Sequence, residues 1–297
     1  MLDLAFLLAP VFATFFLGMF LRKTSVFDDY APDVLFKLVY HLTLPALLIS
    51  VLSWVVISRA MLFLPLLSSL LILLTLAAAL LTGKAIKMQK KTWLVVAGGS
   101  MIMNVGFVIP FIQSFYGDDG LARLFIFDLP NGLLASAVVC TFGNNDGGAT
   151  KNGLLKKLIT SPPLLALIAA LLMNAFDLRP MPIATSVLHS IGKLTIPLML
   201  LALGASFRIT KINPFHLAVA IVLRMVLGLA LGVWLASLFG LEGLDRAIVV
   251  LSASAPAGFS TISLASIEEL DHEFAATLVA SSMIVAMILI PVLLTIL

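Results

Sequence analysis

Residues 98–110 read Gly98-Gly99-Ser100-Met101-Ile102-Met103-Asn104-Val105-Gly106-Phe107-Val108-Ile109-Pro110, inside a long apolar run. Two glycines, an amide and a proline weaken any helix through this stretch. Glycine adds backbone freedom, while proline removes a donor and clashes with the preceding turn. A second stretch has the same character: Ser252-Ala253-Ser254-Ala255-Pro256-Ala257-Gly258-Phe259-Ser260-Thr261. A displacement of 152 positions lays one over the other, taking Asn104-Val105-Gly106-Phe107 to Pro256-Ala257-Gly258-Phe259 and Ser100 to Ser252. It also takes Leu42-Thr43-Leu44-Pro45 to Leu194-Thr195-Ile196-Pro197, and Pro10 to Pro162. The chain therefore reads as an internal repeat, residues 1–152 followed by 153–297.

Composition fixes the setting. Hydrophobic residues are 61% of the 297 and charged ones 11%, against about 45–50% and about 25% in soluble domains. A mean hydropathy of +1.16 leaves no stretch for a separate soluble domain. Ten stretches come close to the roughly 20 residues that a helix needs to cross a bilayer: 2–21, 33–57, 61–82, 93–115, 121–142, 160–176, 183–206, 212–239, 245–266 and 273–297. The sixth is short. Five spans per half is an odd number, so the second half must insert upside down relative to the first. The expected fold is an all-α membrane protein of ten transmembrane helices in two inverted five-helix repeats, with broken helices 4 and 9 crossing at the midplane. Met1-Leu2-Asp3 carries no basic n-region, and the first apolar run ends in Arg22-Lys23 without a cleavage site, so it reads as a retained span. Gly143 to Ser161 reads as the linker between repeats, with Asn145-Asp146-Gly147 a turn and not a calcium loop.

Net charge is +3, which invites a nucleic-acid partner. The basic residues instead sit in short loops, as orientation signals do. One set of alternating loops holds Arg22, Lys23, Lys84, Lys87, Lys90, Lys91, Lys151, Lys156, Lys157, Arg208 and Lys211; the other holds only Arg59, Arg123, Arg179 and Arg246. By the positive-inside rule both termini are expected outside, with Glu268-Glu269-Leu270-Asp271 on the cytoplasmic side. The lone Cys140 excludes an internal disulfide and a cysteine-based metal cluster. His41, His189, His216 and His272 form no zinc-binding His-Glu-x-x-His helix, and no phosphate loop ending in Gly-Lys-Ser/Thr is present, so no enzyme, cofactor or ATP-driven reading arises.

Unwound backbone at membrane depth is tolerated only inside protein or beside a wet cavity. Two matched breaks would each offer a half-helix N-terminus with partial positive charge, which suits an anion. Ordinary kinks are the alternative for either break alone. Leu42-Thr43-Leu44-Pro45 and its repeat read as structural kinks. Just before them the repeat pairs Lys37 with His189 and His41 with Lys193. Lys37 snorkels near a span end, whereas Lys193 falls near the midplane, where it is either functional or faces a carboxylate or cavity water. Asp128 and Arg224 are also buried by position, and their repeat equivalents are Ala280 and Ile72, so neither has a charged mate. They are expected to neutralise each other; the alternative makes Asp128 a proton or cation site or Arg224 a substrate anchor.

The chain resembles the auxin efflux carrier family, which takes in plant carriers and bacterial malate or malonate permeases. The resemblance rests on Leu42-Thr43-Leu44-Pro45, on Asn104-x-Gly106-Phe107-x-x-Pro110, and on the run from Ser254-Ala255-Pro256 through Thr277 to Ile290-Pro291. It implies a scaffold of spans 1, 2, 6 and 7, often dimeric, and a mobile transport domain of spans 3–5 and 8–10. It places substrate at the crossover, on Asn104 and Pro256, with Gly106, Pro110, Ser254 and Gly258 of the same breaks beside them. The expected activity is secondary transport of a small organic anion, a mono- or dicarboxylate, by elevator-like alternating access in the cell membrane. A sodium- or proton-coupled carrier using Asp128 and a passive pore are the alternatives.

Overall fold

The structure is a computed structural model that describes residues 2–24, 26–142 and 160–297. The linker residues 143–159, with the Asn145-Asp146-Gly147 turn, lie outside the described set. Among the described residues everything regular is helical, apart from one isolated antiparallel bridge, Met103 with Ala257. The helices are α1 (Leu2–Arg22), α2 (Ala31–Leu38), α3 (Leu44–Leu52), α4 (Leu64–Ala85), α5 (Lys90–Met101), α6 (Val105–Phe142) and α7 (Pro162–Ala175). They continue with α8 (Pro182–Gly192), α9 (Thr195–Ala205), α10 (Pro214–Ile221), α11 (Leu227–Leu238), α12 (Gly243–Ala253), α13 (Ser260–Ile267) and α14 (His272–Ile296).

Among the described residues, five continuous stretches are long and apolar enough to cross a bilayer: Ala31–Leu52, Ala60–Ala85, Pro182–Ala205, Pro214–Leu238 and His272–Ile296; two shorter apolar helices, Phe6–Arg22 and Pro162–Ala175, accompany them. The protein is thus membrane-embedded, with fewer uninterrupted spans than the ten apolar stretches. The reason is local. Stretch 93–115 is interrupted after Met101 and stretch 245–266 after Ala253, so each is divided into shorter helices. α6 in turn changes direction at Gly117, whose φ of 60° and ψ of −151° separate stretches 93–115 and 121–142. The displacement of 152 positions relates element ends as well as motifs, since α5 stops at Met101 and α12 at Ala253.

Two compact units divide the chain. The first comprises Met1–Ile57, Ile109–Phe125 and Ile159–Phe207. Within it α1 lies along α9, α2 packs on α9, and α3 packs on α7 and α8. α1 and α9 approach closely because Gly18 faces the Leu201 carbonyl and Gly204 faces the Phe15 carbonyl; a Cβ on either would collide with backbone. Small residues that let backbones touch are the usual means of helix association where lipid removes the hydrophobic drive. A π-turn, Val39–Thr43, joins α2 to α3 immediately before Pro45. The wider turn relieves the clash between the proline ring and the preceding turn, so the kink expected there takes this form. The C-terminal end of α3 is satisfied from afar: Asn174 Nδ2 donates to Leu52 O at 2.8 Å and Val55 O at 2.7 Å, and Arg179 donates to Ser53 O.

The second unit comprises Ser58–Val108, Ile126–Leu158 and Arg208–Leu297. α4 packs on α5, α11 and α12, and α5 also meets α10, α13 and α14. Side-chain caps fix two helix starts. Asn213 accepts from Phe215 N at 3.0 Å to begin α10, and Asp271 accepts from Phe274 N at 3.1 Å to begin α14. Asp271 also accepts from the Thr92 hydroxyl at 2.8 Å, tying α14 to α5.

The α1–α9 contact gives a direct test. Gly204→Val places a branched side chain against the Phe15 carbonyl, which cannot step aside. Overpacking of this kind costs about 1–3 kcal/mol, and the thermal midpoint in detergent should fall by roughly 2–4 °C for each kcal/mol. An unchanged midpoint would mean that the two helices are not held this close.

Candidate functional site

The first break begins later than the glycines suggest. α5 runs unbroken through Gly98 and Gly99, whose bare faces receive Leu264 and Leu278, so these glycines serve close packing and not unwinding. Ile102 is the first extended residue, with φ −85° and ψ 117°. Asn104 then restarts the chain as a helix: its Oδ1 accepts from Phe107 N at 3.1 Å, an N-cap for α6. Pro110 also departs from the expectation, because it lies inside α6 and not in the break. In the second break α12 ends at Ala253 and α13 begins at Ser260, and Pro256 does lie in the gap.

The two gaps satisfy each other. Asn104 N donates to Pro256 O at 2.9 Å, and Gly258 N donates to Ile102 O at 2.9 Å, on either side of the Met103–Ala257 bridge. Gly258 is needed at this approach, since a Cβ would lie 2.6 Å from Ile102 Cγ2 and 3.1 Å from Met103 O. The outward edge of the bridge is closed by side chains. Met103 N donates to Asn131 Oδ1 at 3.2 Å, while Asn131 Nδ2 donates back to Met103 O at 3.0 Å. An amide is the one side chain that can imitate a neighbouring strand in this way. On the opposite edge Ala257 N donates to Ser282 Oγ at 3.1 Å. Asn131 and Ser282 were not singled out from the sequence. Asn131 sits three residues beyond Asp128, and a buried amide in an apolar span was the signal that could have found it.

The carbonyls at the helix ends converge on Arg224. This residue is fully buried at the centre of a second π-turn, Val222–Val226, between α10 and α11. Its Nε donates to Ala255 O at 2.9 Å, one terminal nitrogen to Ser100 O at 3.0 Å, and the other to Ala253 O at 2.8 Å and Ser252 O at 3.5 Å. The last turns of α5 and α12, with their partial negative charge, are thus met by one cation. The expected Asp128–Arg224 ion pair does not form. Asp128 is half-buried and accepts from Asn131 Nδ2 at 2.9 Å. The forked guanidinium of Arg224 is occupied instead by carbonyl oxygens at the two helix ends.

Four buried side-chain atoms on the breaks have no hydrogen-bond partner: Ser100 Oγ, Asn104 Nδ2, Ser252 Oγ and Thr261 Oγ1. Buried polar groups are ordinarily paired, so each of these is an exception to the rule. Ser254 differs, since its hydroxyl donates to Leu251 O at 2.9 Å. Gly106 lies in the first turn of α6, adjoining the Asn104 cap. The remaining candidates are elsewhere. Lys193, at the C-terminal cap of α8, and His41, edge-on to Tyr40 at 5.1 Å, are exposed and belong to the first unit. A cavity of about 340 Å³ in that unit is lined by Trp54, Asp118, Asp119, Thr185 and His189 among others. Its two carboxylates are the wrong charge for an anion.

These features are two hydrogen-bonded helix breaks in an apolar, helical, membrane-embedded protein. The chain belongs to the family described as membrane transport protein, the auxin efflux carrier-like family, whose model matches residues 4–294. It is similar to an uncharacterized transporter of Methanocaldococcus jannaschii, 27% identical over 273 residues and 88% of each chain. It is also similar to an uncharacterized transporter of Methanothermobacter thermautotrophicus, 24% identical over 204 residues, covering 68% of this chain and 67% of the other.

The Asn131 bridge is open to test. Asn131→Leu keeps the volume but strands the Met103 N–H and C=O, at about 1–3 kcal/mol for each buried group. The thermal midpoint should fall accordingly, and a variant as stable as the parent would show that water replaces the amide.

Proposed function

We propose that this membrane transporter carries a small organic anion, a mono- or dicarboxylate, by elevator-like alternating access. One observation carries the reading. Asn104 is only 6% exposed, and its cap to α6 commits Oδ1, which leaves Nδ2 a buried donor with no partner. That donor sits where α6 begins, hydrogen-bonded through its own backbone to the segment that leads into α13. Both half-helix N-termini present partial positive charge. Arg224 neutralises the opposite, C-terminal ends, so the field that remains favours an anion. A carboxylate accepting from Asn104 Nδ2 would complete that orphaned donor.

Alternating access follows from burial. A site this enclosed can exchange with water on either side only through a displacement. Spans 3–5 and 8–10, which hold both breaks, are the mobile body in this reading, and spans 1, 2, 6 and 7 the scaffold and homodimer surface. In this reading the ten apolar stretches are two inverted repeats of five spans, helices 4 and 9 form the crossover, and both termini face outward from the cell membrane. The recurrence of element ends at 152 positions and the distribution of basic loops support it.

The test is uptake of labelled mono- and dicarboxylates into proteoliposomes. Asn104→Ala removes a hydrogen bond to a charged group, about 1.5–3 kcal/mol, so affinity should weaken roughly ten- to a hundredfold. A well-folded variant with unchanged affinity removes Asn104 from the site. Imposed sodium or proton gradients in the same vesicles address coupling. Flux that follows a gradient, and loses that dependence in Asp128→Asn, would establish the coupled alternative.

Orientation is checked separately. On a Cys140→Ser background, a cysteine beside Lys90 should resist impermeant reagent in intact cells, and one near Asp119 should react. Labelling with the sides reversed would overturn the topology.

A further inference from the structure

Arg224 does more than fill space. Its guanidinium is held by carbonyl oxygens of Ser100, Ser252, Ala253 and Ala255, contributed by the ends of two different half-helices. Two buried hydroxyls, Ser100 Oγ and Ser252 Oγ, belong to the same residues and are unpaired. Half-helix C-termini and unwound carbonyls in a membrane interior are the ligand set that carriers offer to a free monovalent cation. Here the set is taken by a side chain. The close approach of Gly228 to Ala253 O brings the helix bearing Arg224 against the end of α12. The π-turn at Val222–Val226 sets Arg224 within it.

We infer that Arg224 is a tethered counter-cation: it occupies a carbonyl cage suited to a free monovalent cation, and so makes the paired breaks independent of sodium or potassium binding there. The consequence for coupling rests on the carrier reading above; the placement of the charge does not. The charge cannot leave between transport steps, so the two half-helix C-termini stay neutralised whether or not substrate is bound. Removing the guanidinium uncovers the cage, and a small cation then becomes a ligand that the fold needs.

The experiment follows thermal unfolding of the full chain in detergent, without substrate. The parent midpoint should be the same in sodium, potassium and choline at matched ionic strength. Arg224→Ala strands several buried carbonyls, and its midpoint should fall on the order of 10 °C in choline. Millimolar ethylguanidinium, and sodium more weakly, should restore a large part of the loss, whereas ethylurea, of the same shape but neutral, should not. Arg224→Lys should keep most of the stability. Ethylurea acting as well as ethylguanidinium would reduce Arg224 to packing and overturn the inference. A parent midpoint raised specifically by sodium would also overturn it. Where Arg224→Ala gives no folded protein, Arg224→Lys against Arg224→Met decides. Near-parental yield for lysine alone supports a charge role, and equal loss in both sinks it. None of these readouts involves substrate, so a failed flux assay and a failed cation assay are distinguishable.

Discussion

Peptide groups cannot be left unpaired away from water, and in apolar surroundings a helix meets that demand alone. This chain breaks two helices and must find partners for what they release. The breaks supply two hydrogen bonds to each other through the Ile102–Asn104 and Pro256–Gly258 segments. What remains is met by three side chains of distinct chemistry. Asn131 imitates a strand, Ser282 gives a single acceptor, and Arg224 gathers carbonyls from both helix ends. Gly258 is small because the pairing is tight, and the π-turn places Arg224 where the carbonyls end. The local oddities of the second unit follow from one hydrogen-bonding requirement.

The breaks were legible because amide, glycine and proline are conspicuous in an otherwise apolar run, and more so when two such runs match. Their limits were less so. Gly98 and Gly99 remain helical because tight packing rewards the missing side chain, and Pro110 is carried within α6. Pro256 does lie in its gap, so proline alone does not locate a break; the Asn104 cap does. Arg224 was recognised as buried, but its partners were not. Carbonyl oxygens have no letter in a sequence, so a search for a mate to the arginine finds only carboxylates. The same bias fixed on Asp128 and passed over Asn131 beside it. Lys193 was singled out for depth along the chain, with His41 as its repeat mate, and depth does not say which face of a helix a residue occupies.

The charges divide by end. The negative ends of α5 and α12 meet a permanent cation, while the start of α6 is capped by the neutral Asn104 amide. A helix N-terminus in a poorly screened interior attracts negative charge more strongly than it would at a protein surface. Asn104 gives that attraction a direction, because one end of its amide is already committed to the cap. Unmatched polarity at one end of the pairing and full neutralisation at the other make the site asymmetric in charge, although the sequence motifs are related by a repeat.

The mutual pairing of the breaks also bears on biogenesis. Asn104 and Pro256 are hydrogen-bonded partners separated by 152 positions. At synthesis rates of about 5–20 residues per second, roughly 8–30 seconds pass between their emergence from the ribosome. Through that interval the first break has no eventual partner, yet its apolar flanks are already competent to enter the bilayer. Its backbone must be held in continuous helix, or kept beside water or the insertion machinery, until the second break arrives. Pairing of the first break is therefore a late event, dependent on completion of the second.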